Sequence, residues 1–180
     1  MKQIRRNGGF TLLELLVAMA IFVLLLWGIL GAIAPAFRYF AQTSLQTQAK
    51  GLANTIMESI AGRAEYASAI TLSDSPPSSG QLALEFDGQK LYYYDSTGRK
   101  AMFDDGFYGD MIAEIVPEGE GGTQLTISIL IKKDGELLHT STNSLNLQNL
   151  PLNTEESKRK IQGTGRRYLI YAKGEALASP

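Results

Sequence analysis

The chain has 180 residues, no cysteine and a formal net charge of −1. A near-neutral balance argues against a nucleic-acid partner, which usually meets a strongly basic face. Without cysteine there can be neither disulfides nor a thiolate metal site.

The first element is an apolar run. Residues 15–37 carry no charge, more than the roughly 20 residues a helix needs to cross hydrocarbon. Lys2, Arg5 and Arg6 precede it, and Arg38 and Lys50 follow. That modest bias places the N-terminus in the cytoplasm and the remainder outside, as a single pass through the plasma (inner) membrane. A secretory signal peptide has an apolar core of about 7–15 residues and a small-residue cut after it. This core is longer, although "GAIAPAF" offers small residues. A plain signal anchor fits the hydropathy but leaves Gly8-Gly9 and Glu14 without a reason.

The stretch "GGFTLLELLVAMAIF" resembles the N-terminal signature of type IV pilins and type II secretion pseudopilins. The residues that carry it are Gly9, Phe10, Thr11, Leu12, Leu13 and Glu14, within about the first 30 residues. The resemblance implies a leader, residues 1–9, removed by a prepilin peptidase between Gly9 and Phe10, and N-methylation of Phe10. Glycine lacks a Cβ, so Gly8-Gly9 can lie extended in a narrow cleft. A flexible helix start would use the same two residues. A cut before the apolar segment leaves residues 10–37 in the mature protein as a transmembrane and assembly helix.

Glu14 has two readings. It sits in a first helical turn, where the macrodipole favours an anion and where a membrane interface is near. The resemblance implies the second, in which Glu14 receives the new α-amine on Phe10 of a neighbouring chain. Phe10 and Glu14 are four residues apart and share a helix face. A polar pair inside an apolar packing surface is one way to set register.

Helical periodicity continues past the membrane segment, through residues 38–72. Leu45, Ala49, Leu52, Ile56, Ile60, Ala64 and Ala67 recur at three- and four-residue intervals, which predicts an amphipathic helix packed on a domain. Gly28, Gly31 and Pro35 are the candidate kink, since proline removes a backbone hydrogen bond. In the family this region can bend or melt on entry into a filament; a fixed kink fits the residues equally.

"SDSPPSSG", residues 73–80, reads as a linker. Strand-like alternation then runs to residue 150. "LALEFDGQKLYYYD" predicts a hairpin turning at Asp87-Gly88. "MIAEIV" and "TQLTISILI" predict two more strands, and "KKDGEL" an Asp-Gly turn into "LLHTSTNSLNL". Five or six antiparallel strands are expected in residues 73–150. Residues 151–180 are polar and weakly patterned, with "RRYLIYA" either one more strand or part of a tail. The fold class is α+β, a long N-terminal helix on an antiparallel sheet, as in pilins.

Candidate chemistry is sparse. His139 falls in a strand and reads as structural. Asp104, Asp105 and Asp110 offer carboxylates for calcium but lack the spacing of an EF-hand loop; no cofactor or metal is implied. "KRKIQGTGRR" reads as a solvated basic segment. The expected function is a minor pilin or pseudopilin subunit of a type II secretion, type IV pilus or competence machine, acting by assembly and not by catalysis. Its partners would be other such subunits, the peptidase, an inner-membrane assembly platform and membrane lipid. The competing class is a membrane-anchored extracytoplasmic binding or adhesion domain that never polymerises.

Overall fold

The computed structural model describes residues 11–119, 124–147 and 161–173. The chain divides into two units, residues 1–44 and 45–180, and helix α1 (Leu12–Ala64) contributes to both.

In the first unit, α1 is unbroken through Gly28, Gly31 and Pro35. Pro35 lacks the N–H that would bond the Gly31 carbonyl one turn earlier. Every described residue of this unit is exposed. Leu12 is 82% and Trp27 79% accessible.

In the second unit, α1 buries one stripe: Ala49, Leu52, Ala53, Ile56, Met57, Ile60 and Ala64. Leu45 is half-buried, while Lys50, Asn54 and Glu58 are exposed. The stripe holds the three- and four-residue spacing of a helix with one apolar face.

The helix ends at Ala64, earlier than residue 72. Residues 67–73 form strand β1 (Ala67–Ser73). Ala64, Ala67 and Ile70 keep helical spacing, which hides the boundary. Ile70 and Leu72 supply the alternation that the strand uses, both being buried.

The remaining elements are β2 (Leu82–Phe86), β3 (Leu91–Asp95), β4 (Gly98–Ala101), α2 (Asp105–Tyr108), β5 (Met111–Glu118), β6 (Gln124–Lys133), β7 (Glu136–Asn146) and β8 (Tyr168–Lys173). They build two antiparallel sheets where one was expected. One has the order β1-β8-β2-β3-β4 and the other β5-β6-β7. The β2–β3 hairpin turns at Asp87-Gly88, where Gly88 has φ +86°. Asp134 and Gly135 join β6 to β7 with φ of +51° and +82°, the two positive values a type I′ turn needs.

"RRYLIYA" is a strand, and it is interior. β8 lies between β1 and β2, pairing Leu72 with Leu169 and Leu169 with Leu84. The approach to β8 wraps the outer edge of β1. Leu72 N–H donates to the Gln162 carbonyl at 2.7 Å, and Gln162 N–H donates to that of Ile70 at 3.1 Å. A Cβ at Gly165 would lie 2.1 Å from the Ser73 carbonyl carbon, so only glycine fits the crossing. Asp74 Oδ1 accepts from the backbone N–H of Arg166 and Arg167 at 2.8 and 3.3 Å.

The core joins the helix stripe to Ile70, Leu72, Leu84, Leu91 and Leu169 of the first sheet. From the second come Ala113, Ile115, Leu125, Ile127, Ile129 and Ile131.

Candidate functional site

Thr11 and Glu14 form the start of α1. Thr11 N–H and Oγ1–H both donate to Glu14 Oε2 at 3.0 Å. Glu14 N–H donates back to Thr11 Oγ1 at 3.3 Å, and Leu15 N–H to the Thr11 carbonyl at 3.2 Å. This is a reciprocal capping box: Thr11 is the N-cap and Glu14 the third helical residue. It meets donors that a helix start otherwise leaves unpaired. The order Thr-x-x-Glu before an apolar run is itself the sequence sign of this cap, and the sequence reading passed over it. Gly9 and Phe10 lie outside the described residues.

Behind the cap, α1 is long and apolar enough to cross a membrane, and its most apolar stretch is not buried within the fold. Leu16, Met19, Ala20, Val23 and Leu24 lie together along it, at the spacing of one helix face.

The prokaryotic N-terminal methylation motif matches residues 4–30. The chain carries a prepilin-type signature. Neither a curated protein nor a solved structure matches the chain. The signature and the apolar helix fit a membrane-anchored subunit of the type IV pilin kind, associating with others of its kind and processed by a prepilin peptidase.

A further polar feature of the chain is Glu85 on β2, 1% exposed. Its Oε2 accepts from Arg99 Nε at 2.6 Å and Tyr94 Oη at 3.1 Å. Its Oε1 accepts from Arg167 Nη2 at 3.1 Å and Tyr168 Oη at 3.3 Å. Burial pushes the carboxyl pKa up, but hydrogen bonds from Arg99 and Arg167 outweigh it and hold it below the ordinary 4.5. The Arg99 guanidinium also stacks 3.5 Å over the Tyr92 ring. Four strands thus converge on one carboxylate. Each carboxylate oxygen accepts two bonds, which is the arrangement of a structural clamp.

Asp104 caps α2, its Oδ1 accepting from Phe107 N–H at 2.8 Å. Asp105 pairs with Lys90 at 2.6 Å and Asp110 with Lys133 at 3.4 Å. The three aspartates therefore serve a cap and two ion pairs. No group of ligands able to hold a metal occurs among the described residues. His139 lies half-buried on β7. Of the basic run, Arg167 belongs to the Glu85 cluster.

Proposed function

We propose that the chain is a minor pilin or pseudopilin, built into a pilus or pseudopilus of a type II secretion, type IV pilus or competence machine. The observation that carries this is an exposed, uncharged helical stretch, residues 15–37, directly behind the methylation motif. Burying one large apolar side chain is worth about 1.5–3 kcal/mol, so such a surface needs lipid or neighbouring helices around it.

Before assembly the segment anchors the chain in the inner membrane, with the C-terminal domain outside. The peptidase cuts between Gly9 and Phe10 and methylates the new terminus. The α-amine of Phe10 then meets Glu14 of a neighbour. A carboxylate has about four acceptor positions on its two oxygens, so Glu14 can hold Thr11 and receive an amine together. Gly28, Gly31 and Pro35 give the helix a weak stretch where it can adapt to its neighbours.

Intact mass of the protein from its native host tests this. Loss of residues 1–9 with one added methyl group is expected. A full-length chain from a peptidase-competent host would overturn it.

A further inference from the structure

The two sheets have four outer strands, and three are protected. The outer edge of β1 is taken by Gln162 and Gly165, whose backbones bond it. β4 has only four residues and carries Arg99 and Lys100. β5 contains Pro117, carries Glu114 and Glu118, and gives its Ala113 N–H to the Gln89 carbonyl at 2.9 Å. Short length, charge, proline and cover are the usual devices that keep sheet edges from pairing.

Among the described residues β7 is neither short nor covered and holds no proline; its one charged residue is Glu136 at its first position, and its one register shift lies at Leu138, four residues from Thr142. It is the longest strand, 11 residues. From Leu137 to Asn146 it holds no proline and no lysine, arginine or carboxylate. Among the described residues its only backbone–backbone strand partner is β6. Ser144 N–H donates instead to the side chain of its neighbour Asn143 at 2.9 Å.

The face of this sheet turned from the core also ends on β7 in a hydroxyl ladder. Thr126 Oγ1 and Ser144 Oγ are 2.9 Å apart, and Ser128 Oγ and Thr142 Oγ1 3.0 Å. Such cross-strand hydroxyl pairs stabilise neighbouring strands.

We propose that β7 is a docking edge for a second copy of this chain, pairing β7 with β7 antiparallel about Thr142. That register sets Thr140 against Ser144 and Ser141 against Asn143, so the hydroxyl ladder runs on into the partner. No charge meets its own copy across the axis, so nothing electrostatic opposes self-pairing. The contact is isologous and closes at two chains. It is therefore distinct from helix packing through residues 15–37. A single strand edge buries less than the roughly 1,200–2,000 Å² of a stable interface. The pairing is accordingly weak and is filled where heads are concentrated.

The absence of cysteine makes the test direct. Thr142→Cys is introduced into the full chain, purified in detergent and oxidised, with Ser96→Cys in the exposed β3–β4 turn as control. Antiparallel partners stand about 5.5 Å apart at Cα when hydrogen-bonded, within the roughly 4.4–6.8 Å a disulfide spans. Disulfide dimer should form at least about tenfold faster at 142 than at 96, because docked thiols sit at a raised effective concentration.

In Thr142→Lys, the head-to-head contact read by dimer-selective crosslinking should vanish while the melting temperature falls by no more than a few degrees, the loss of the Ser128–Thr142 hydroxyl pair. Equal rates at 142 and 96 would overturn the proposal. So would crosslinks that survive in Thr142→Lys, since they would come from the apolar helix. A Thr142→Cys chain that links only to a different protein in the host would replace the second copy with that partner.

Discussion

Thr11 and Glu14 hold each other at the helix start: the threonine amide and hydroxyl donate to the carboxylate, and the glutamate amide donates to the threonine oxygen. Glu14 therefore carries a local role beside the intersubunit role proposed for it, and the two are separable by substitution. Glutamine keeps a capping box but carries no charge. Glu14→Gln should leave leader removal and membrane insertion intact while filament incorporation falls. Glu14→Leu should lose the cap as well and incorporate no better. Fractionation, leader removal and filament content are the readouts. Full incorporation of processed Glu14→Gln would leave capping as the role of the residue.

Glu85 makes stability depend on pH. Its folded-state pKa lies below the ordinary 4.5. Its contribution is thus complete above that value and is lost as pH falls through the folded pKa. Glu85→Gln leaves two guanidiniums facing a buried amide. Removing one partner of a fully buried pair costs roughly 3–5 kcal/mol. Arg99 and Arg167 are 43% and 56% exposed, so about 2 kcal/mol is expected at pH 7 after allowing for solvent screening. Denaturant melts at pH 7 and pH 3 should show a smaller mutant–parent gap at pH 3. An equal gap would mean that charge plays no part in the clamp.

The crossing into β8 should tolerate no side chain. Gly165→Ala drives a Cβ to within 2.1 Å of the Ser73 backbone, and Gly163→Ala to 2.2 Å of the Leu72 carbonyl oxygen from a φ of +76°. A loss of about 3 kcal/mol or more is expected for each, at the upper end of overpacking costs. Gly51 is the contrasting case, being helical with open space around it. Gly51→Ala should gain about 0.5–1 kcal/mol. Thermal melts of the three variants decide it.

Leu169 should behave as core, although it lies near the C-terminus. It is fully buried between Leu72 and Leu84. Leu169→Ala should cost about 2–5 kcal/mol. Ala172, exposed on the same strand, should accept serine within about 0.5 kcal/mol. A mild Leu169→Ala would mean that β8 contributes little to the sheet.

What the sequence determined by itself was local. The uncharged run at residues 15–37 is a matter of composition. The Asp87-Gly88 and Asp134-Gly135 turns follow from backbone freedom at single positions. The helix stripe from Ala49 to Ala64 follows from a 3.6-residue period that any amphipathic helix must show. Thr11 and Glu14 were legible as a cap too, in their Thr-x-x-Glu spacing.

The tertiary structure alone decided the long-range choices. Ala67 and Ile70 fit a helix by spacing, and became a strand because β8 was there to pair with them. β8 was itself hard to read, since a six-residue strand between polar residues has little local signal. Its place between β1 and β2 depends on partners 83–106 residues away along the chain, where no periodicity reaches. Glu85 looked like an ordinary strand residue. Its partners Arg99 and Arg167 lie 14 and 82 residues away along the chain, and only strand order brings them to the same carboxylate. Local backbone preference is written residue by residue, whereas strand order is set by which surfaces can be buried together.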